Sequence, residues 1–184
     1  MKKQMKQKLV NLALGELVAV VVFWLNFFVF KELIVTTTKA LISISFSLLI
    51  LSFILMQGAI FWCILIKRLS KPKFGERYIG RIYNVLKKLD IILLVIGALV
   101  IVATYSIAYV MILSFMIWLF AVIEWINYYK LQLSYDINPT ILFKYIRQRK
   151  LKKSKIAKEI EKAKKHWHDQ NTAVTKTIKL RRLK

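Results

Sequence analysis

Residues 91–129 read IILLVIGALV IVATYSIAYV MILSFMIWLF AVIEWINYY. The run is 39 residues with one charge, Glu124, and no proline. As one helix it would be about 58 Å long, roughly twice the thickness of a bilayer's hydrocarbon core. It must therefore fold back on itself. The reversal is expected near Thr104 to Ala108, giving one span at about 91–105 and another at about 109–129.

Outward from this stretch, Leu9 to Phe30 and Leu41 to Ile66 are each long enough for a single crossing, since about 20 apolar helical residues suffice. The chain is thus expected to be an all-α, integral membrane four-helix bundle, with a membrane domain over 1–129 and a basic tail over 130–184. Its composition excludes an ordinary soluble domain: 58% hydrophobic residues coexist with a formal charge of +22, so the two properties must be segregated along the chain. Of the 31 Lys and Arg, 29 lie before the first run, between the second and third, or after Tyr129, and only Lys31 and Lys39 occupy the other connections. Short basic segments stay in the cytoplasm, which places both termini there. A cleaved signal peptide fits less well, because the first run contains Asn11, Glu16 and Asn26 and lacks a small-x-small site before Lys31.

The basic segments carry their own patterns. Pro72 and Gly75 stop the second helix, after which Ile79, Ile82, Tyr83, Leu86 and Leu89 recur at helical spacing, predicting an amphipathic helix over about 76–89 that either lies in the headgroup region as an interfacial helix or packs on the cytoplasmic tail. In the tail, Asn138 and Pro139 suit a helix start, and Ser154 can cap a second piece with Ile156, Ile160, Ala163 and Trp167 on one side. A basic amphipathic helix is thereby expected over about 139–167. Anionic lipid is the most economical partner for such segments, each lysine near the surface contributing about 1 kcal/mol. The residues assigned to that contact are Lys67, Arg68, Lys71, Arg77, Arg81, Lys144, Arg147, Arg149, Lys150, Lys152 and Lys153. Nucleic acid is a poorer partner, because Ser154 to Ile160 supplies one helix without the positioning helix and turn of a helix-turn-helix.

Charged groups within the spans are costly, so Glu16 and Glu124 are the first candidates for a site. Both fall about 10 Å inside the cytoplasmic boundary, and Gln57 is slightly deeper. A polar layer shared by the first, second and fourth helices suits cation binding, proton relay or a lipid headgroup. The plainer alternative has the acids reaching headgroups or pairing with Lys8 or Lys130, and Gln57 bonding a neighbouring helix. Trp125, Tyr128 and Tyr129 read as interfacial anchors, and Trp118 as a deeper packing residue.

Catalytic and metal chemistry find little support. His166 and His168 supply two ligands where zinc needs three or four, Cys63 is the one cysteine, and no phosphate loop or nucleophile motif occurs. No cofactor and no enzymatic activity are expected.

The stretch from Ile123 to Asp136, IEWINYYKLQLSYD, with Arg149 to Ala157, RKLKKSKIA, resembles uncharacterised small four-helix membrane proteins of low-GC Gram-positive bacteria. These share a hydrophobic hairpin, an acid-aromatic-Asn-Tyr junction and a basic tail. The resemblance implies a multi-pass protein of a bacterial plasma membrane and brings no activity with it. The reading that follows is a non-enzymatic accessory or bacteriocin-immunity-type factor, whose partners are anionic lipids and possible membrane proteins or membrane-active peptides. The alternative is a small transporter or channel subunit using Glu16 and Glu124.

Overall fold

The computed structural model describes residues 2–34, 37–72, 74–75, 78–104, 108–130 and 153–165. All regular structure among them is helical: α1 (Lys2–Ile34), α2 (Thr38–Ser70), α3 (Ile79–Ala103), α4 (Ala108–Tyr129) and a short α5 over 155–165. Three of these, α1, α2 and α4, are long and apolar enough to cross a membrane. The interfacial helix expected over 76–89 and the span expected over 91–105 are one continuous helix. Nothing breaks it, because residues 79–103 contain no proline and the apolar spacing of the first half continues into the second.

α2 is the central element, packed on α1, α3 and α4. Half of its most apolar window is buried, against 6% for α1, which lies on the outside. Two buried clusters fill the bundle, one at the end away from α5 and one running from its middle to the end where α5 docks. In the first, Ala40, Ile44, Leu48 and Val110 pack with Phe23, Trp24 and Phe27. In the second, Leu9, Ala13, Phe61, Trp62, Ile79, Tyr83, Trp125, Tyr128, Tyr129, Ile156 and Ile160 belong to one larger core. The sides between are apolar and exposed, from Val29 (70%) on α1 to Val102 (74%) on α3. Such a belt is unfavourable in water and suits a hydrocarbon surround.

Capping residues set the ends of the elements. The Thr37 hydroxyl accepts from the Ala40 amide at the start of α2. α2 stops two residues before Pro72, and Gly75, at φ +67°, turns the chain toward α3 in the left-handed region that a side chain would strain. The Thr104 hydroxyl donates to the Val100 carbonyl, closing α3, and the fold-back falls between Ala103 and Ala108.

α5 docks on the larger core. Its N-cap is Ser154, whose hydroxyl accepts from the Ala157 amide and donates to the Tyr128 carbonyl at the end of α4. Ile156 and Ile160 are buried, and Gly80 of α3 faces the Glu159 backbone so closely that a Cβ there would lie 2.5 Å from Ala163 Cβ. Arg68, at the end of α2, makes a two-pronged ion pair with Glu159, with N–O distances of 3.1 Å and both side chains largely buried. Arg68 is therefore not available to lipid as expected, since its guanidinium is committed to Glu159. The apolar side of 155–165 likewise rests on the protein. Arg77, Lys144, Arg147, Arg149, Lys150 and Lys152, and the rest of the helix expected over 139–167, lie outside the described residues.

Candidate functional site

Near the basic end, polar side chains from all four long helices converge in two linked groups. Helical spacing assigns them: on α4, Glu124 and Tyr128 are four apart on one face, and Trp125 and Tyr129 on the neighbouring one. On α2 the same offset separates Gln57 and Gly58 from Phe61 and Trp62.

The first group is centred on Gln57, which is 5% exposed. Its side-chain amide donates to Asp90 Oδ1 at 2.7 Å, and its side-chain oxygen accepts from the Tyr129 hydroxyl at 2.7 Å. Its main-chain oxygen accepts from the Tyr83 hydroxyl at 2.8 Å, so one residue of α2 holds two residues of α3 and one of α4. Asp90 is fully buried, and among the described residues its Oδ2 has no hydrogen-bond partner. A buried carboxyl group satisfied on one side only is a costly feature, retained where it fixes register or holds a proton or ligand.

The second group joins α1, α2 and α4. The Tyr128 hydroxyl lies beside the Glu16 and Glu124 carboxyl groups, and the Trp62 indole N–H also faces Glu16. Neither the hydroxyl nor the indole reaches direct hydrogen-bonding geometry among the described residues. Glu124 accepts from the Asn127 amide at 3.2 Å. Tyr128 can insert because α2 carries Gly58 opposite it: a Cβ there would overlap the phenol, with Cζ at 2.5 Å. The carbonyl of the same Tyr128 holds Ser154, which links this group to the docked α5.

The expected candidates thus divide. Glu16 and Glu124 come together around Tyr128, whereas Gln57 belongs to the adjoining group and binds Asp90. Among the described residues neither glutamate is ion-paired to a lysine. Trp125, Tyr128 and Tyr129 are 8%, 3% and 2% exposed, core residues and not the interfacial anchors expected. The Tyr129 hydroxyl finds its acceptor, Gln57, inside, and the Tyr128 hydroxyl faces the two acids, whereas among the described residues the Trp125 indole N–H has no hydrogen-bond partner. Trp118 donates to the Leu94 carbonyl at 2.9 Å and packs against Gly97 on α3.

Asp90 was missed, although a signal for it exists. Ile79, Tyr83, Leu86, Asp90, Leu94, Gly97 and Ile101 follow one another at steps of three or four, and an acid on that stripe must face the bundle once α3 is continuous. The chemistry open to the layer is proton exchange and helix locking. Among the described residues no group of three or more His, Cys, Asp or Glu is placed to hold a metal. Comparison with family models, with curated proteins and with solved structures finds no match for this chain.

Proposed function

We propose that the chain is a four-span, non-enzymatic protein of a bacterial plasma membrane, with both termini cytoplasmic, acting as an accessory or immunity-type factor that presents a basic face to anionic lipid. The observation that carries this reading is the one-ended charge. The exposed Lys67, Lys71, Arg81, Lys88 and Lys130 surround the end where α5 docks, while the other end has Lys31 and Lys39, and the sides are apolar.

α3 serves as a span despite Lys87, Lys88 and Asp90 within it. Asp90 faces the bundle and never meets lipid, and the two lysines can extend their ammonium groups to the headgroups. From Lys87 to Ala103 the helix rises about 25 Å, close to the hydrocarbon thickness once fold-back residues are added. Ile92, Val95, Leu99 and Val102 form its lipid-facing side.

The meeting of Glu16 and Glu124 favours a second reading, a transporter or channel subunit. The two part on one experiment. In liposomes the wild-type chain is expected to leave proton and potassium gradients intact, and Glu16→Gln and Glu124→Gln are expected to insert and fold like wild type, because amide and carboxyl are nearly isosteric and the neutral group is cheaper to bury. A wild-type flux that either substitution abolishes would replace the accessory reading with the transporter one.

A further inference from the structure

Between α1 and α2, closed at one end by Phe74 of the α2–α3 connection, runs a groove of about 330 Å³. Its walls are Leu17, Met56, Ile60, Cys63 and Ile64, and its floor is the small, buried Ala59. From Met56 to Lys67 the groove descends along α2 by about 16 Å, the depth of one leaflet's share of the hydrocarbon core. At its basic end the chemistry changes from aliphatic to cationic. The Lys67 ammonium stands 4.2 Å from the Phe74 ring centroid, placed by a cation–π contact across the mouth. Arg68, next in sequence, is neutralised by Glu159, whereas Lys67 makes no ion pair among the described residues.

We infer that this groove is a binding site for one anionic phospholipid, with an acyl chain along Leu17, Met56, Ile60 and Cys63 and the phosphate on Lys67. The inference rests on the membrane placement proposed above and goes beyond it, since a general basic face attracts anionic lipid without selecting a position. Depth, apolar walls and one uncompensated cation at the headgroup level together select a phospholipid with net negative charge. A free phosphate would not need the groove, and a zwitterionic lipid would gain less from Lys67, its own ammonium group competing for the phosphate.

The test uses the full chain in nanodiscs of mixed phosphatidylglycerol and phosphatidylcholine, with the lipid retained on gentle extraction read by native mass spectrometry. Wild type is expected to retain phosphatidylglycerol in excess. Lys67→Gln removes the headgroup contact and should lower that excess about fivefold, the effect of one lysine at an anionic surface. Cys63→Trp fills the groove from an exposed position and should lower it similarly, and Met56→Trp, also exposed, repeats that arm. Lys88→Gln removes the same charge from the same end, away from the groove, and should lower the excess much less than Lys67→Gln, since it weakens only the general basic face. A loss equal for Lys88→Gln and Lys67→Gln, or an excess that survives Lys67→Gln and both tryptophans, overturns the groove site and leaves the basic-face reading standing. Equal retention of the two lipids by wild type would sink the basic-face reading itself.

Discussion

Gln57→Leu is expected to destabilise the bundle by about 2–4 kcal/mol, and a second substitution, Asp90→Leu, is expected to restore the part of that loss that comes from the unpaired Asp90 carboxyl group, leaving the part that comes from Tyr129. The hydrogen bonds are the smaller part of the effect, because an interhelical bond in membrane proteins averages only about 0.6 kcal/mol. What dominates is the group left behind. Without the Gln57 amide, Asp90 Oδ1 loses its donor, and the Tyr129 hydroxyl, which also faces Asp90, loses the Gln57 oxygen, both in the protein interior. Orphaning a buried polar group costs about 1–3 kcal/mol, more for a charged one, whereas removing both partners can be nearly neutral. Asp90→Asn keeps the oxygen that accepts from Gln57 and should change stability by less than about 1 kcal/mol. Unfolding of the detergent-solubilised variants measures this, and strictly additive losses in the double variant would show that Gln57 and Asp90 do not act as a pair.

Arg68→Met is expected to free α5, shifting the balance between docked and released helix roughly a hundredfold, or about 2–3 kcal/mol. Arg68 and Glu159 have side chains 15% and 14% exposed, so removal of the guanidinium leaves the Glu159 carboxylate against the core with only the exposed Lys162 ammonium, 3.7 Å away, to offset it. Lys153→Met breaks a pair of shorter distance, 2.6 Å to Glu161, but its side chains are 61% and 57% exposed, and the change should stay within about 0.5 kcal/mol. Arg68→Lys should not rescue, since an ammonium cannot reproduce the two-pronged contact. Amide exchange over 155–165 reads all three. Equal protection in Arg68→Met and wild type would mean that Ile156, Ile160 and the Ser154 contacts hold α5 without the ion pair.

The parts of this architecture that could be read from sequence are those with a local or periodic signature. Leu9 to Phe30 and Leu41 to Ile66 declare themselves by length, Ser154 as a cap by the pattern after it, and the end of α2 by Pro72. Asp90 escaped because a reading that ends one helix at Leu89 and starts another at Ile91 leaves the acid at a junction, where it looks solvated. Continuity of α3 moves it to the buried stripe. Tyr128 and Tyr129 read wrongly as interfacial anchors for a different reason: an aromatic with a polar tip near a span's end satisfies that tip equally well in headgroups or on an internal partner. Arg68 and Glu159, 91 residues apart, share no periodicity at all, and only the docking of α5 pairs them.

The central claim is that α3 crosses the membrane as a fourth span, so that both ends of the chain share the basic side. Single cysteines placed in a Cys63→Ser background at Lys39, Lys71 and Thr104, in intact cells treated with an impermeant maleimide, test it most directly. The four-span account predicts labelling at Lys39→Cys and Thr104→Cys from outside and protection at Lys71→Cys until the membrane is opened. Protection at Thr104→Cys together with Lys71→Cys, while Lys39→Cys is labelled, would place α3 along the inner surface and contradict the account.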